Sequence, residues 1–340
     1  MAESRSSEPE PIRDDRPAVV TGAAGFVGRE VVRLLALAGC PDVRAVDIVA
    51  GAPTAGARAI PLDLLRDDLS AAFRGAATVF HLAACQYHST LAPNQYDLPF
   101  DTVNVEGTRR ALAAARAAQV ARFVHASSSM VYGIPRRVPI DEAHPLAPIG
   151  PYGRSKLAAE RLVRDAAGGG METVIVRPPP IFGPGRTGAI IGLFDRILDG
   201  RPVVLFGSGR NVQDLIDRDD CARLMVAVGR DRSGRDVFNA GSAAAPTMIG
   251  WMAALVEEAG SPSALVEAPA LPIKLWLRVL ERARLAPLRR EQYEIADRDY
   301  VLDWSAARAI GWTPRATGIE AALAGFRAYR AARGATSAAR

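Results

Sequence analysis

The sequence predicts an α/β fold: a doubly wound parallel sheet with a smaller, mostly helical C-terminal lobe. Three observations carry that expectation. From residue 17 to Arg177, short apolar runs alternate with stretches whose apolar residues recur at helical spacing, the rhythm of βαβ units. The first run passes into its helix through a cluster of glycines, "VVTGAAGFVG". After Arg177 the rhythm weakens into "RPPPIFGPGRTG", too rich in Pro and Gly for regular helix.

Taken in order, "PAVVTG" reads as a buried strand and "GREVVRLLALAG" as a helix that stops at Gly39. "VRAVDI" and "ATVFHLAA" read as the second and third strands. "DTVNVEGTRRALAAARAAQ" has the pattern of a long amphipathic helix. "ARFVHASSS", "GRSKLAAERLVRDAA" and "ETVIVRPPPIFG" continue as strand, helix and strand. Helices follow around 188–199, 218–229 and 247–259, then in "LPIKLWLRVLERARL" and "TGIEAALAGFRAYRAAR". The expected division is a disordered lead over 1–16, a dinucleotide-binding domain over 17–178 with a return of chain around 203–240, a mainly substrate-binding lobe over 179–330, and a flexible tail over 331–340. Sheets of this kind bind ligands at the carboxyl ends of their strands.

Composition narrows the function classes. The apolar share of 49% and charged share of 23% are those of an ordinary soluble protein. The net charge of +5 comes from arginines scattered among acids, with no basic stripe interleaved with aromatics, so no nucleic-acid partner is expected. No apolar run approaches the ~20 residues that span a bilayer, so no membrane association is expected either. Cys40, Cys85 and Cys221 lie far apart without CxxC spacing, and His81, His88, His125 and His144 lack metal-ligand spacing. That pattern predicts neither disulfides nor a metal site and fits a reducing cytoplasm.

The glycine cluster sets Gly22, Gly25 and Gly28 in a GxxGxxG spacing, with Phe26 and Val27 inside it. Glycine lets a pyrophosphate approach backbone N–H groups, and the helix N-terminus beyond adds partial positive charge. The next strand ends at Asp47, some 20 residues on, where a carboxylate bonds adenosine ribose hydroxyls and repels a 2′-phosphate. NAD is therefore the expected cofactor; the competing reading of Asp47 is a strand-end cap. Asp63, with Leu64 beside it, is a candidate for the adenine side and equally an N-cap.

"PYGRSKLAAE" holds one of only two lysines, Lys156; the other is Lys274. Tyr152 stands four residues before it, so both side chains share one helix face. A phenol has a reference pKa of about 10, which a nearby cation lowers. Tyr152 can then exchange a proton with a hydroxyl while hydride moves, and Lys156 can bond a ribose. Upstream, "HASSSMVYG" brings serine hydroxyls to the ligand end of a strand, where they serve a substrate oxygen or simply a turn.

Together these residues resemble the extended short-chain dehydrogenase/reductase family, the NAD-dependent epimerase/dehydratase group, over nearly the whole chain from residue 17. "TGAAGFVG", "HLAA", "VNVEGT", "SSSMVYG", "YGRSK", "RPPPIFGPG" and "IGWTPRATGIEAAL" fall in the family's order. The resemblance implies a Rossmann domain with a substrate lobe. It implies Ser128 as catalytic hydroxyl, Tyr152 as acid/base and Lys156 as its partner. It also puts Leu82, Ala83, Ala84 and Pro179 beside the cofactor and Asn104 in a structural position near it. A homodimer built on helices around 100–119 and 152–167 is a further implication.

Departures from the family bear on the substrate. Sugar 4,6-dehydratases carry Asp-Glu after the catalytic hydroxyl; here Ser129 and Met130 stand there, and methionine is neither acid nor base. Nucleotide-sugar members usually place Asn where Pro180 stands and Arg where Gln213 stands, with Arg186 and Arg210 as possible substitutes for the lost charge. Cys85 and Gln86 follow the third strand, either lining the substrate site or packing. The leading expectation is a nucleotide-sugar epimerase working through a transient keto intermediate. The alternative is a net ketoreductase or dehydrogenase, 3β-hydroxysteroid dehydrogenase-like or acting on a keto-sugar.

Overall fold

The apolar runs pair side by side in a computed structural model that describes residues 16–49, 56–87, 99–186, 188 and 190–338. Seven strands make the main sheet: β1 (Ala18–Thr21), β2 (Val43–Asp47), β3 (Ala57–Pro61), β4 (Thr78–His81), β5 (Arg122–Ala126), β6 (Glu172–Arg177) and β7 (Val237–Asn239). Their order is β7-β6-β5-β4-β1-β2-β3, and every pairing is parallel. The order reverses between β1 and β4, where Thr21 lies beside His81. Chains leaving those two strands diverge, which opens a crevice at their carboxyl ends.

Alternation along each strand divides the core into two layers. Val20, Val124 and Val176 face Val31 and Leu35 of helix Gly28–Leu37 and Met225 of helix Arg218–Arg230. Val19, Val79, Phe123 and Ile175 face Ala111 and Leu112 of helix Gly107–Ala117 and Val163 of helix Pro151–Asp165. Each fully buried Val, Leu or Phe contributes roughly 1.5–3 kcal/mol. The lobe has its own core of Phe194, Ile197, Leu205, Trp251, Leu255 and Phe326.

The structure departs from the sequence reading in several places. β3 is a strand the sequence reading does not include: its residues are partly or wholly exposed at the sheet edge, so no apolar run marks it. Within 203–240, the return of chain to the main sheet is made by helix Arg218–Arg230 and β7. Val203–Phe206, expected within it, pairs instead with Leu265–Ala268, because Val203 and Leu205 bury their side chains in the lobe core. The expected tail over 331–340 is helical as far as Ala338. Arg333 ties that helix down by donating to Asp195 at 3.0 Å and Asp199 at 2.8 Å. The helix expected over "DTVNVEGTRRALAAARAAQ" opens with a π-helical turn, Asp101–Glu106, of the kind that frequently marks functional sites. The expected lead over 1–16 lies outside the described residues except for Arg16, and so does His88.

Candidate active site

The turn after β1 exists because its glycines lack Cβ atoms. Gly22 has a φ of +71°, and a Cβ there would stand 2.6 Å from the Ala83 backbone nitrogen. A Cβ on Gly28 would stand 2.0 Å from the Gly22 carbonyl oxygen. Asp47, at the end of β2, fastens this turn: its Oδ2 accepts from Ala24 N at 2.9 Å. The capping reading of Asp47 is therefore realised, and the same residue borders the crevice.

That crevice has a volume of about 400 Å³. Its walls include Gly22, Gly25, Phe26, Val27, Gly28, Asp47, Asp63, Leu64, Leu82, Ala83, Ala84, Tyr152 and Lys156, nearly the whole expected cofactor set from five separate segments. Asn104 and Pro179 fall outside the lining, where Pro178 takes the wall position instead. Asn104 is buried and clamps the loop after β4 to the Tyr152 helix. Its side chain accepts from Cys85 N at 2.7 Å and donates to Cys85 O at 3.0 Å and Ser155 Oγ at 2.9 Å. Asp63 borders the crevice while its Oδ1 accepts from Leu65 N at 2.8 Å, so its turn-capping role is also realised.

Tyr152 sits in the first turn of its helix, with ring centroids 5.8 Å from Phe100 and 6.0 Å from Tyr87. Burial pushes its phenol up to about 12. Ser128 and the positive charge of Arg186 oppose that shift, whereas Glu291 and Cys85 reinforce it. Ser128, two residues beyond β5, falls outside the crevice lining, where Ser127 takes the wall position. Lys156 is 2% exposed and donates its Nζ to Ala126 O at 2.5 Å. Burial lowers it to about 8, against a pull upward from Glu160. Arg186, held 5.6 Å over the Phe26 ring, adds a further positive charge that favours the ionised phenol.

The remaining candidates divide. Gln86 and Arg186 line the crevice. Cys85 is buried beside Asn104. Ser129 serves packing: its carbonyl accepts from Tyr300 Oη at 2.6 Å and its N donates to Pro178 O at 2.9 Å. Met130 packs against the cluster around Val131 and Tyr132. Gln213 donates its amide to Ile295 O at 3.0 Å and Ala296 O at 3.3 Å. Pro180 and Arg210 are exposed and outside the crevice lining.

Sequence reasoning missed Glu291. It is 2% exposed, accepts from Gly153 N at 2.9 Å and Tyr152 N at 3.3 Å, and accepts from the Tyr87 hydroxyl. Its faint signal lay in Gly150 and Gly153, which leave the start of the Tyr152 helix without a side-chain cap. Also unmarked was the bidentate pair of Arg177 with Glu160, at 2.8 and 2.6 Å, beneath Ser127, whose Oγ donates to Glu160 at 2.5 Å. Among the described residues no cluster suits a metal ion, and no helix is long and apolar enough to cross a membrane.

A doubly wound sheet, a glycine turn at its switch point and a Tyr152–Lys156 pair on the same crevice define a dinucleotide-dependent enzyme. The chain belongs to the NAD dependent epimerase/dehydratase family, whose model matches residues 18–241. It is 30% identical over 319 residues to a UDP-glucose 4-epimerase of Mycolicibacterium smegmatis (strain ATCC 700084 / mc(2)155), covering 87% of this chain and 93% of that one. It is 29% identical over 313 residues to a 4-hydroxy-2-methyl-3-oxo-4-farnesyl-3,4-dihydroquinoline-1-oxide ketoreductase of Stigmatella aurantiaca, covering 88% and 92%. Among solved structures it resembles MoeE5 in complex with UDP-glucuronic acid and NAD, with a TM-score of 0.74, 28% identity and coverage of 93% and 99%. The crevice fits the family's cofactor: the turn is open only because Gly22 and Gly28 carry no Cβ, and Asp47 borders it at the end of β2.

Proposed function

We propose that this chain is an NAD-dependent nucleotide-sugar epimerase acting at a secondary alcohol. The observation that carries this reading is that Tyr152 and Lys156 stand together on the wall of the dinucleotide crevice, with Ser128 acting on the phenol. Gly22, Gly25, Gly28, Asp47, Asp63 and Lys156 hold the NAD, which when bound supplies a hydride acceptor and donor. Ser128 donates a hydrogen bond to the reacting oxygen. Tyr152 takes the hydroxyl proton as the alcohol becomes a ketone and returns it once the sugar has turned its other face. Arg186 offers positive charge to the anionic part of the substrate. Met130 beside the hydroxyl has no proton to exchange, which disfavours a 4,6-elimination. The relatives named above include enzymes whose names specify UDP-sugars.

A second reading is favoured by one observation. Gln213, where a phosphate-holding cation would serve a sugar nucleotide, is engaged by two backbone carbonyls. A net ketoreductase with an uncharged substrate, as the name of the Stigmatella relative suggests, would not miss that cation. We further infer cytoplasmic operation from three buried free cysteines, and dimerisation through the outward faces of helices Gly107–Ala117 and Pro151–Asp165.

Denaturing the purified protein and counting released NAD per subunit tests the choice. Near-stoichiometric NAD, with UDP-glucose or UDP-glucuronic acid interconverted without added cofactor and turnover abolished by Tyr152→Phe, is the expected result. An empty protein that consumes added NADH on ketones would overturn the epimerase reading in favour of the reductase.

A further inference from the structure

The Tyr152 helix begins without a cap of its own. Its first turn is entered from Gly150, which has no side chain to accept the free N–H groups of that turn, and such groups need a partner when buried. The partner comes from the other lobe, 138 and 139 residues away in sequence. The Glu291 carboxylate accepts from Gly153 N with one oxygen and from Tyr152 N with the other. The room for it is made by glycine at two positions: a Cβ on Gly150 would lie 2.5 Å from Glu291 Cδ, and one on Gly153 would lie 3.2 Å from its Oε2. The Tyr87 hydroxyl donates to the same carboxylate, and the Tyr87 ring packs against both Phe100 and Tyr152. One buried acid therefore touches the backbone of Tyr152 and a ring that flanks it.

We propose that Glu291 is a positioning residue for Tyr152: it caps the catalytic helix across the two lobes and sets a carboxylate against the Tyr152 backbone and the Tyr87 hydroxyl. This rests on the reading of Tyr152 as acid/base. Burial keeps Glu291 above the usual carboxylate range, while Tyr87, the two backbone N–H groups and Arg154 pull it back toward ionisation. Arg289, 6.0 Å from the Tyr87 ring centroid, is the other cation on that side. Ser128, Glu291, Arg186 and Cys85 act on the phenol. Ionised Glu291 holds the proton on Tyr152, in opposition to Arg186. A carboxylate at the positive end of the helix also stabilises that first turn.

The test uses the enzyme as purified, labelled with [ζ-13C]tyrosine, so that ionisation of Tyr152 is read without turnover; Tyr152→Phe assigns the resonance. Glu291→Gln keeps the shape and removes the charge. Gly150→Ala keeps the charge but drives the carboxylate away from the helix. In both variants Tyr152 should titrate at lower pH, by roughly one unit in Glu291→Gln. The acid limb of kcat/KM should move in the same direction wherever turnover is measurable. A Tyr152 titration unchanged in both variants would overturn the proposal, even if their melting temperatures fall, because a merely structural contact predicts only the latter. If instead Tyr152 shifts but Tyr152→Phe still turns over substrate, the positioning holds and the acid/base reading fails.

Discussion

Lys156 shows what burial does to a charge that a site retains. Its ammonium has left water for the Ala126 carbonyl and sits at about 8 instead of 10.5. The folded state therefore releases this proton before the unfolded state does. Between pH 8 and 10.5 the unfolded chain binds more protons, so stability attributable to Lys156 rises with pH across that window and is lowest below it. In NAD-free protein, comparison with Lys156→Met should make this visible. Urea unfolding should show the wild type gaining about 2 kcal/mol on the variant between pH 8 and 9.5. A constant difference would mean that the lysine keeps its proton throughout, and that its burial is relieved by solvent. Tyr152 does not confuse this window, because its own shift, upward to about 12, acts above pH 10 and with opposite sign.

At the scale of elements, legibility followed locality. The glycine turn and the Tyr152–Lys156 pair are set by spacings of three and four residues within one turn and one helix, so the sequence displays them directly. Strands buried on both faces, β1 and β6, show as apolar runs. β3 shows nothing, because an exposed edge strand needs no apolar pattern. Val203–Phe206 looks like any buried strand, and only the lobe core decides which sheet it joins. Glu291 and the Arg177–Glu160 pair are products of tertiary approach, invisible to any window of sequence. The glycine turn gives the sharpest element-level prediction. Gly28→Ala forces a methyl group to 2.0 Å from the Gly22 carbonyl, which belongs to the backbone and cannot rotate aside. The turn must open, at about 1–3 kcal/mol as in other overpacked sites, and retained NAD should fall at least tenfold by the same released-cofactor count. Full NAD content in that variant would show that the turn does not hold the pyrophosphate.

Across the whole molecule, the crevice stays assembled because a buried polar junction joins its walls. Arg177, fully buried at the end of β6, makes its bidentate pair with Glu160 of the Tyr152 helix and donates to Tyr132 Oη at 3.0 Å. Tyr132 in turn donates to Asn239 of β7 at 2.6 Å, and Ser127 after β5 donates to Glu160. Three strands and the catalytic helix thus meet at one ion pair, directly behind Lys156, whose charge Glu160 supports. Such a pair is weak as a source of net stability, but breaking it strands a charge away from water. Glu160→Gln should therefore cost about 3–5 kcal/mol in urea unfolding. Adding Arg177→Met to that variant should restore a large part of the loss, since it removes the stranded guanidinium. The double-mutant cycle separates the two contributions. If Glu160→Gln alone cost well under 1 kcal/mol, water would have to reach Arg177, and the junction would not be the dry hinge point on which the site is built.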